Sequence, residues 1–397
     1  MCGIIAYIGD KPARDLLLEG LKRLEYRGYD SAGIAVLNGG LHQAKTAGRV
    51  RVLEEQIETE DQFNGSLGIA HTRWATHGEP SDRNAHPHGD QPDSGHGIAM
   101  VHNGIIENHA TLRTYLSEHG HHFLSDTDTE VLAHLIGHFY EGDLESAVRH
   151  ALNEVTGAYA IAVVCAKEPE VLVVARKGSP LMIGVGSDEY IVASDASAIV
   201  AHTNRAIELE DDTIARLTRD TFRTSTLENV TVTPQMRELE VDLQQIELGD
   251  YPHYMLKEIH EQPQAIEQCL KGRLAPHEGR VVLGGLAEYV RDLGRAHRVI
   301  FLGQGTALNA GMIGSYLVEE LAKIPSRADF ASEFRYRNPI IEDGTVVVAI
   351  SQSGETADTH AALREASRKG AMTLGLVNVV GSTITRESDA GVYLRVG

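Results

Sequence analysis

The chain has 397 residues, long for a single core at a soft prior of ~150 residues per domain, and its 42% hydrophobic and 23% charged content is ordinary for a soluble globular protein. A formal net charge of -20, from 36 basic and 56 acidic residues, is spread along the chain; it argues against a nucleic-acid surface and implies little more than solubility. Three distant cysteines (Cys2, Cys165 and Cys269) give neither a disulfide framework nor zinc spacing, no secretory leader is visible, and the longest apolar run, 158–166, is far short of a membrane span, so a cytoplasmic protein is expected.

Strand-like runs dominate the first part. Gly3–Ile8 is followed by a helical stretch with Pro12 near its start and Leu16, Leu17, Leu21 and Leu24 on one face. Ala32–Leu37, the turn Asn38-Gly39-Gly40 and the segment after Leu41 read as a β-hairpin. Short buried-type strands follow at 67–70 and 97–102, then helical patterns over about 109–119, 129–140 and 144–155, then paired strands at 158–165 with 171–175 and at 190–193 with 213–217. Antiparallel sheets covered by helices are the expected arrangement. The wording changes after about Met236: a charged stretch at 237–250 leads into alternating strands and helices through 298–302, 309–321, 345–350, 356–369 and 372–377. That alternation predicts a parallel doubly wound sheet. Residues 1–236 and 251–397 are the expected domains, with 237–250 as linker.

Several positions could carry chemistry. With Met1 removed, Cys2 would hold a thiol and a free α-amine on one residue. An amine of pKa ~7.7–8.0 is partly free base at neutral pH and can take the thiol proton and return it to a leaving group. Alone, a cysteine at position 2 reads as an accident of translation. His71-Thr72-Arg73-Trp74-Ala75-Thr76-His77-Gly78 follows a short strand, and Arg73 offers the planar fork that grips a carboxylate; in isolation an Arg-Trp pair reads as a surface cation–π contact. Asn103-Gly104 ends a strand and could form an oxyanion hole, although most such pairs are turns. Thr127-Asp128-Thr129-Glu130 is a helix start with acidic first-turn residues that also offers a carboxylate to a substrate ammonium.

Each signal is weak alone, but in order and spacing they form a pattern. Cys2-Gly3-Ile4, Tyr26-Arg27-Gly28-Tyr29-Asp30-Ser31-Ala32-Gly33, His71–Gly78, His102-Asn103-Gly104 and Thr127–Glu130 closely resemble the glutaminase domain of class II glutamine amidotransferases, N-terminal-nucleophile hydrolases with an α+β four-layer αββα fold. The resemblance implies that Cys2 attacks the side-chain amide of L-glutamine with its own amine as base, that Asn103 and Gly104 stabilise the oxyanion, and that Arg73 and Asp128 bind the α-carboxylate and α-amino group. Trp74 would guard the ammonia exit, with Thr76 and His77 shaping the pocket.

Histidines at 86, 88, 119, 121 and 122 could pair on paper as metal ligands, but no Cys or carboxylate partner recurs at ligand spacing, so no metal is expected. In the second half, Gly303-Gln304-Gly305-Thr306 starts like a dinucleotide fingerprint but lacks the third glycine, Leu308 standing there; with no Walker motif either, no cofactor is expected. Ser351-Gln352-Ser353-Gly354-Glu355-Thr356 follows a strand and opens a helix, where hydroxyls and free N–H groups make a phosphate cradle, or a capping box through Ser353 and Thr356. Together with 331–337 and 254–263, it resembles the first sugar-phosphate isomerase (SIS) domain and linker of the isomerising glutamine–fructose-6-phosphate aminotransferase family. That resemblance implies an α/β doubly wound SIS domain, a sugar phosphate held by Ser351, Gln352, Ser353 and Thr356 with Thr306 on the sugar, and a homodimer. Gln304-Gly305-Thr306-Ala307 departs from the family's Cys-Gly-Thr-Ser. The family also has a second SIS domain, beyond the equivalent of Gly397, that supplies a lysine, a glutamate base and a ring-opening histidine. The expectation is therefore a glutaminase deficient in the step that converts fructose 6-phosphate to glucosamine 6-phosphate. The alternatives are a glutaminase-only or sugar-phosphate-sensing protein, or another class II amidotransferase.

Overall fold

The computed structural model describes residues 2–75, 78–90, 95–239 and 251–396. Thr76, His77 and residues 240–250 of the expected linker lie outside the described residues. The chain divides into two compact units, Met1–Glu247 and Leu248–Gly397. Among the described residues no helix is long and apolar enough to cross a membrane.

Among its described residues the first unit holds fifteen strands: β1 Gly3–Ile8, β2 Ser31–Leu37, β3 Leu41–Ala47, β4 Leu67–Arg73, β5 His88–Gly89, β6 Ile98–Ile106, β7 Gly157–Cys165, β8 Glu168–Lys177, β9 Met182–Val185, β10 Tyr190–Ala193, β11 Arg205–Glu208, β12 Thr213–Leu217, β13 Phe222–Thr226, β14 Thr231–Val232 and β15 Met236–Glu238. Its helices are α1 Ala13–Leu24, α2 Val50–Ile57, α3 His109–Glu118, α4 Asp128–His138 and α5 Leu144–Asn153. One sheet runs β15-β11-β9-β10-β1-β4-β2-β3 and the other β14-β13-β12-β8-β7-β6-β5. The expected β2–β3 hairpin forms, with Gly39 at φ +67° in its turn, where a side chain would be strained.

Strand alternation explains the layering. Along β1, Ile5 and Tyr7 join the apolar face of α1 (Leu17, Leu21 and Leu24) and Leu53 of α2 in one cluster. Ile4, Ala6 and Ile8 of the same strand point the other way, into a second cluster with Ala99 and Val101 of β6 and Ala160 and Ala162 of β7. Ile98 and Met100 of β6 face a third cluster with Val131 and Leu135 of α4 and Val148 of α5. A period of two therefore places helices outside both sheets and an apolar seam between them. This is the expected αββα stack. Each fully buried Leu or Ile on these faces contributes about 1.5–3 kcal/mol relative to exposure, so a one-residue register slip, which would turn every apolar side chain of a strand outward, is strongly opposed.

The second unit is built on a parallel sheet in the order Ser326–Phe330, Arg298–Gly303, Thr345–Ser351, Met372–Val377, Ala390–Tyr393. Its two edge strands, with their short partly polar wording, do not stand out in the sequence. In chain order the sheet is 2-1-3-4-5, the doubly wound arrangement in which the connections reverse direction between the first and third strands, Arg298–Gly303 and Thr345–Ser351.

Candidate active site

The alternation that fills the inter-sheet seam also builds the site. Even residues of β1 and odd residues of β4 and β6 face the seam. Continued to the strand ends, the same period brings Cys2, His71, Arg73 and Asn103 to one end of it. The antiparallel register Gly3↔Thr72 and Ile4↔His71 sets Cys2 beside the end of β4. The Trp74 backbone N–H donates to the Cys2 Sγ at 3.2 Å, the Sγ lies 3.5 Å from the Trp74 carbonyl, and the Asn103 Nδ2 donates to the Cys2 carbonyl at 3.1 Å. Burial pushes the Cys2 thiol up, opposed by the Trp74 N–H, the positive charge at the chain terminus and the Arg73 guanidinium.

Arg73 is buried, with its Nη2 donating to the Gly78 carbonyl at 3.2 Å. Desolvation lowers its pKa, opposed by Cys2, Asp128 and Asp30, which places these groups around one guanidinium. Asp128 opens α4 and is buried, its Oδ2 accepting the Ile106 N–H at 2.8 Å, which ties it to the strand that carries Asn103. The capping reading of this segment holds as well: Thr127 Oγ1 accepts from Glu130 N at 3.3 Å, and Glu130 reaches back to Leu124 N and Ser125 N at 2.7 Å each. Gly104 has φ +137°, and a Cβ there would stand 2.0 Å from the Ala158 carbonyl, so only glycine fits. Trp74 is exposed and stands edge-on to Tyr29 with ring centroids 6.0 Å apart.

The segment 26–33, recognisable in sequence as a motif without individual roles, proves to be the support of this end. Asp30 N donates to the Arg73 carbonyl at 3.0 Å and Asp30 Oδ2 accepts Ala75 N at 2.8 Å. Arg27 pairs with Asp195, and the neighbouring Ser194 exchanges bonds with Ile4, accepting its N–H at Oγ and donating to its carbonyl, both at 3.0 Å. Nothing local in the sequence marks Ser194 and Asp195, which reach the site by sheet pairing across about 190 residues. His71 was not singled out in the sequence, although its place as a polar residue in the apolar series Leu67, Ile69, His71 is a signal that could have marked it.

In the second unit, the segment 351–356 and Thr306 follow the carboxyl ends of adjacent parallel strands, one on each side of the reversal point, the usual ligand position in open α/β sheets. Gln304 Nε2 lies 3.4 Å from Asp358 Oδ2, so the turn before Thr306 meets the first turn of the helix Ala357–Arg368. Within the cradle, Ser351 Oγ lies 3.0 Å from Thr356 Oγ1 and accepts Gly354 N at 3.0 Å, while Ser353 Oγ accepts Glu355 N at 3.2 Å. Thr356 occupies the N-cap of helix Ala357–Arg368 with no side-chain cap bond, so the capping-box alternative fails and the first-turn N–H groups face the loop. Gln352 is exposed, and its carbonyl accepts Asn378 N at 3.1 Å.

Residues 58–251 match the family described as "Glutamine amidotransferase domain", and residues 292–397 match "SIS domain". The chain carries a glutamine amidotransferase domain followed by a SIS domain. It is 54% identical over 403 residues to the isomerizing glutamine–fructose-6-phosphate aminotransferase of Chlorobaculum tepidum, and 48% identical over 398 residues to that of Caldanaerobacter subterraneus subsp. tengcongensis. Each alignment covers 100% of this chain and 65% of the relative, so the chain spans about two thirds of the length of the curated proteins it matches. Among solved structures, the glutamine phosphoribosylpyrophosphate amidotransferase of B. subtilis superposes with a TM-score of 0.52 at 19% identity, over 99% of this chain and 90% of that one. That likeness concerns the fold alone.

Proposed function

We propose that the amidotransferase domain hydrolyses glutamine, with Cys2 as nucleophile and Asn103 and Gly104 as oxyanion donors. The observation that carries this reading is the placement of the Cys2 sulfur against the Trp74 N–H, with the Asn103 amide nitrogen 3.1 Å from the carbonyl of the same cysteine. In the proposed reaction, the free α-amine of Cys2 takes the thiol proton and the sulfur attacks the side-chain carbonyl carbon of glutamine. The Asn103 Nδ2–H and the Gly104 N–H stabilise the negative oxygen of the tetrahedral species. The proton passes to the amide nitrogen, ammonia leaves, and water hydrolyses the thioester to glutamate. Arg73 holds the α-carboxylate and Asp128 the α-ammonium.

The ammonia acceptor in this proposal is fructose 6-phosphate, the substrate that the relatives' name carries, held by Ser351, Gln352, Ser353 and Thr356 with Thr306 on the sugar. A homodimer in the cytoplasm belongs to the same reading. One assay tests its parts: glutamate and glucosamine 6-phosphate are measured with the purified chain, with and without fructose 6-phosphate. Glutamate release that vanishes in Cys2→Ala is expected, with no amino sugar from this length of chain. Glutamate release unchanged in Cys2→Ala would sink the nucleophile assignment, and amino-sugar formation would show that this length suffices for the sugar step.

A further inference from the structure

We propose that His71 is a positioning residue for the oxyanion hole: its Nε2–H holds the Asn103 side-chain oxygen, so that the amide nitrogen is turned to Cys2 and to the negative oxygen that forms there. The inference deepens the glutaminase reading and rests on it.

His71 is completely buried, and its Nε2 lies 3.0 Å from Asn103 Oδ1 and 3.1 Å from the His102 carbonyl. The carbonyl can only accept, so Nε2 carries the proton and Oδ1 is the atom of Asn103 that faces it. The other end of the amide, Nδ2, then meets the Cys2 carbonyl at 3.1 Å, using one of its two N–H bonds. Its second N–H is the one available to an oxyanion. Turning the amide over would set NH₂ against N–H on one side and oxygen against the Cys2 carbonyl on the other, exchanging two attractions for two repulsions. Without His71 only the Cys2 carbonyl still distinguishes the two orientations.

The imidazole is itself fixed. It stacks on His86 with centroids 4.1 Å apart and planes at 18°, and His86 Nδ1 accepts the His102 N–H at 3.3 Å. The segment bearing His86 is pinned by Lys45, whose Nζ donates to the carbonyls of Ala85 at 2.9 Å, Arg83 at 3.3 Å and Pro87 at 3.4 Å. Burial holds the His71 pKa down at about 3, so the ring stays neutral and keeps a single N–H at working pH.

The test uses the full chain and a steady-state glutaminase assay with three variants: His71→Leu, which removes the donor; His71→Gln, whose Nε2 can replace it; and His71→Asn, which is polar but too short. Loss of one oxyanion donor costs about 10²–10³ in kcat, so His71→Leu and His71→Asn are expected to lower kcat by about 10-fold to 100-fold, with KM for glutamine within about twofold, while His71→Gln recovers most of the loss. On an Asn103→Ala background, His71→Leu should cost nothing further, because nothing remains to orient. A role confined to packing predicts the opposite: additive losses, a lowered Tm and no rescue by Gln. Wild-type kcat in His71→Asn, or additivity with Asn103→Ala, overturns the proposal, and the Asn and Gln variants decide it even if the Leu variant does not fold. A wild-type chain that releases no glutamate overturns the glutaminase reading and this inference with it, whereas an active wild type with an undiminished His71→Asn overturns this inference alone.

Discussion

A Cβ added to Gly28 would stand 2.7 Å from the backbone nitrogen of Trp74, the same nitrogen that donates to the Cys2 sulfur at 3.2 Å. Gly28 has extended backbone, at φ -175°, so what it supplies is space rather than an unusual conformation. Its other close neighbours are the carbonyl carbon and oxygen of Arg73, which cannot move without moving Trp74.

Gly28→Ala should therefore displace the Trp74 N–H from the sulfur and remove one of the groups that oppose the burial of the thiolate. A hydrogen bond to a charged group is worth about 1.5–3 kcal/mol, so glutaminase kcat/KM is expected to fall by about tenfold or more. The pH profile of Cys2 alkylation by iodoacetamide should move upward. An unchanged alkylation profile would show that the Trp74 N–H does not tune the thiol.

Asp128→Asn keeps an oxygen for the Ile106 N–H, bonded at 2.8 Å in the native protein, but loses the charge proposed for the glutamine α-ammonium. KM for glutamine should rise by about 10-fold to 100-fold, following the same 1.5–3 kcal/mol for a charged hydrogen bond. The Tm should stay within a few degrees. Steady-state kinetics beside a thermal melt separate the two effects, and an unchanged KM argues against Asp128 as the ammonium site.

Acid should destabilise the amidotransferase domain through its buried imidazoles. His71, His86, His88 and His102 are nearly or wholly inaccessible, and burial lowers the pKa of each below the ordinary 6.5, to about 3 for His71. The unfolded chain therefore binds more protons than the folded one below about pH 6.5, so their contribution is intact above that pH and is lost as the pH falls. For His71 alone this costs about 1.4 kcal/mol between pH 7.5 and 5.5, and the other three act in the same direction. Melting curves at the two pH values check this, and a domain equally stable at both refutes it.

In the second unit, Gly354 has φ +68°, and a Cβ there would lie 2.0 Å from Ser382 Oγ. Gly354→Ala should distort the 351–356 loop and weaken fructose 6-phosphate binding by about tenfold, since positive φ costs a residue with a side chain of order 1–3 kcal/mol. Glutamate release without sugar should be unaffected. Calorimetric titration with fructose 6-phosphate reads the first effect and the glutaminase assay the second.

How much of this was legible depended on whether a signal was local. The apolar runs at 3–8 and 97–102 announced strands, the Asn38-Gly39-Gly40 turn announced its hairpin, and the segments around Cys2, Arg73, Asn103 and Asp128 were each recognisable. Contacts made by register were not. That Ser194 clasps Ile4, or that Lys45 grips three carbonyls of the segment at 83–87, follows from which strands pair and from how a loop crosses them. Short edge strands such as Ser326–Phe330 carry too few residues, and too little apolar periodicity, to rise above loop composition.

The position of β1 has a consequence for biosynthesis. It lies inside its sheet, with β4 on one side and β10, completed only at Ala193, on the other. At roughly 5–20 residues per second, translation spends on the order of ten seconds or more between releasing β1 from the ribosome and delivering the strand that pairs with its second edge. During that interval the edge of β1 that β10 will cover has no partner strand. The sheet that holds β1 is therefore completed only after Ala193 has left the ribosome, about half-way through synthesis of the chain.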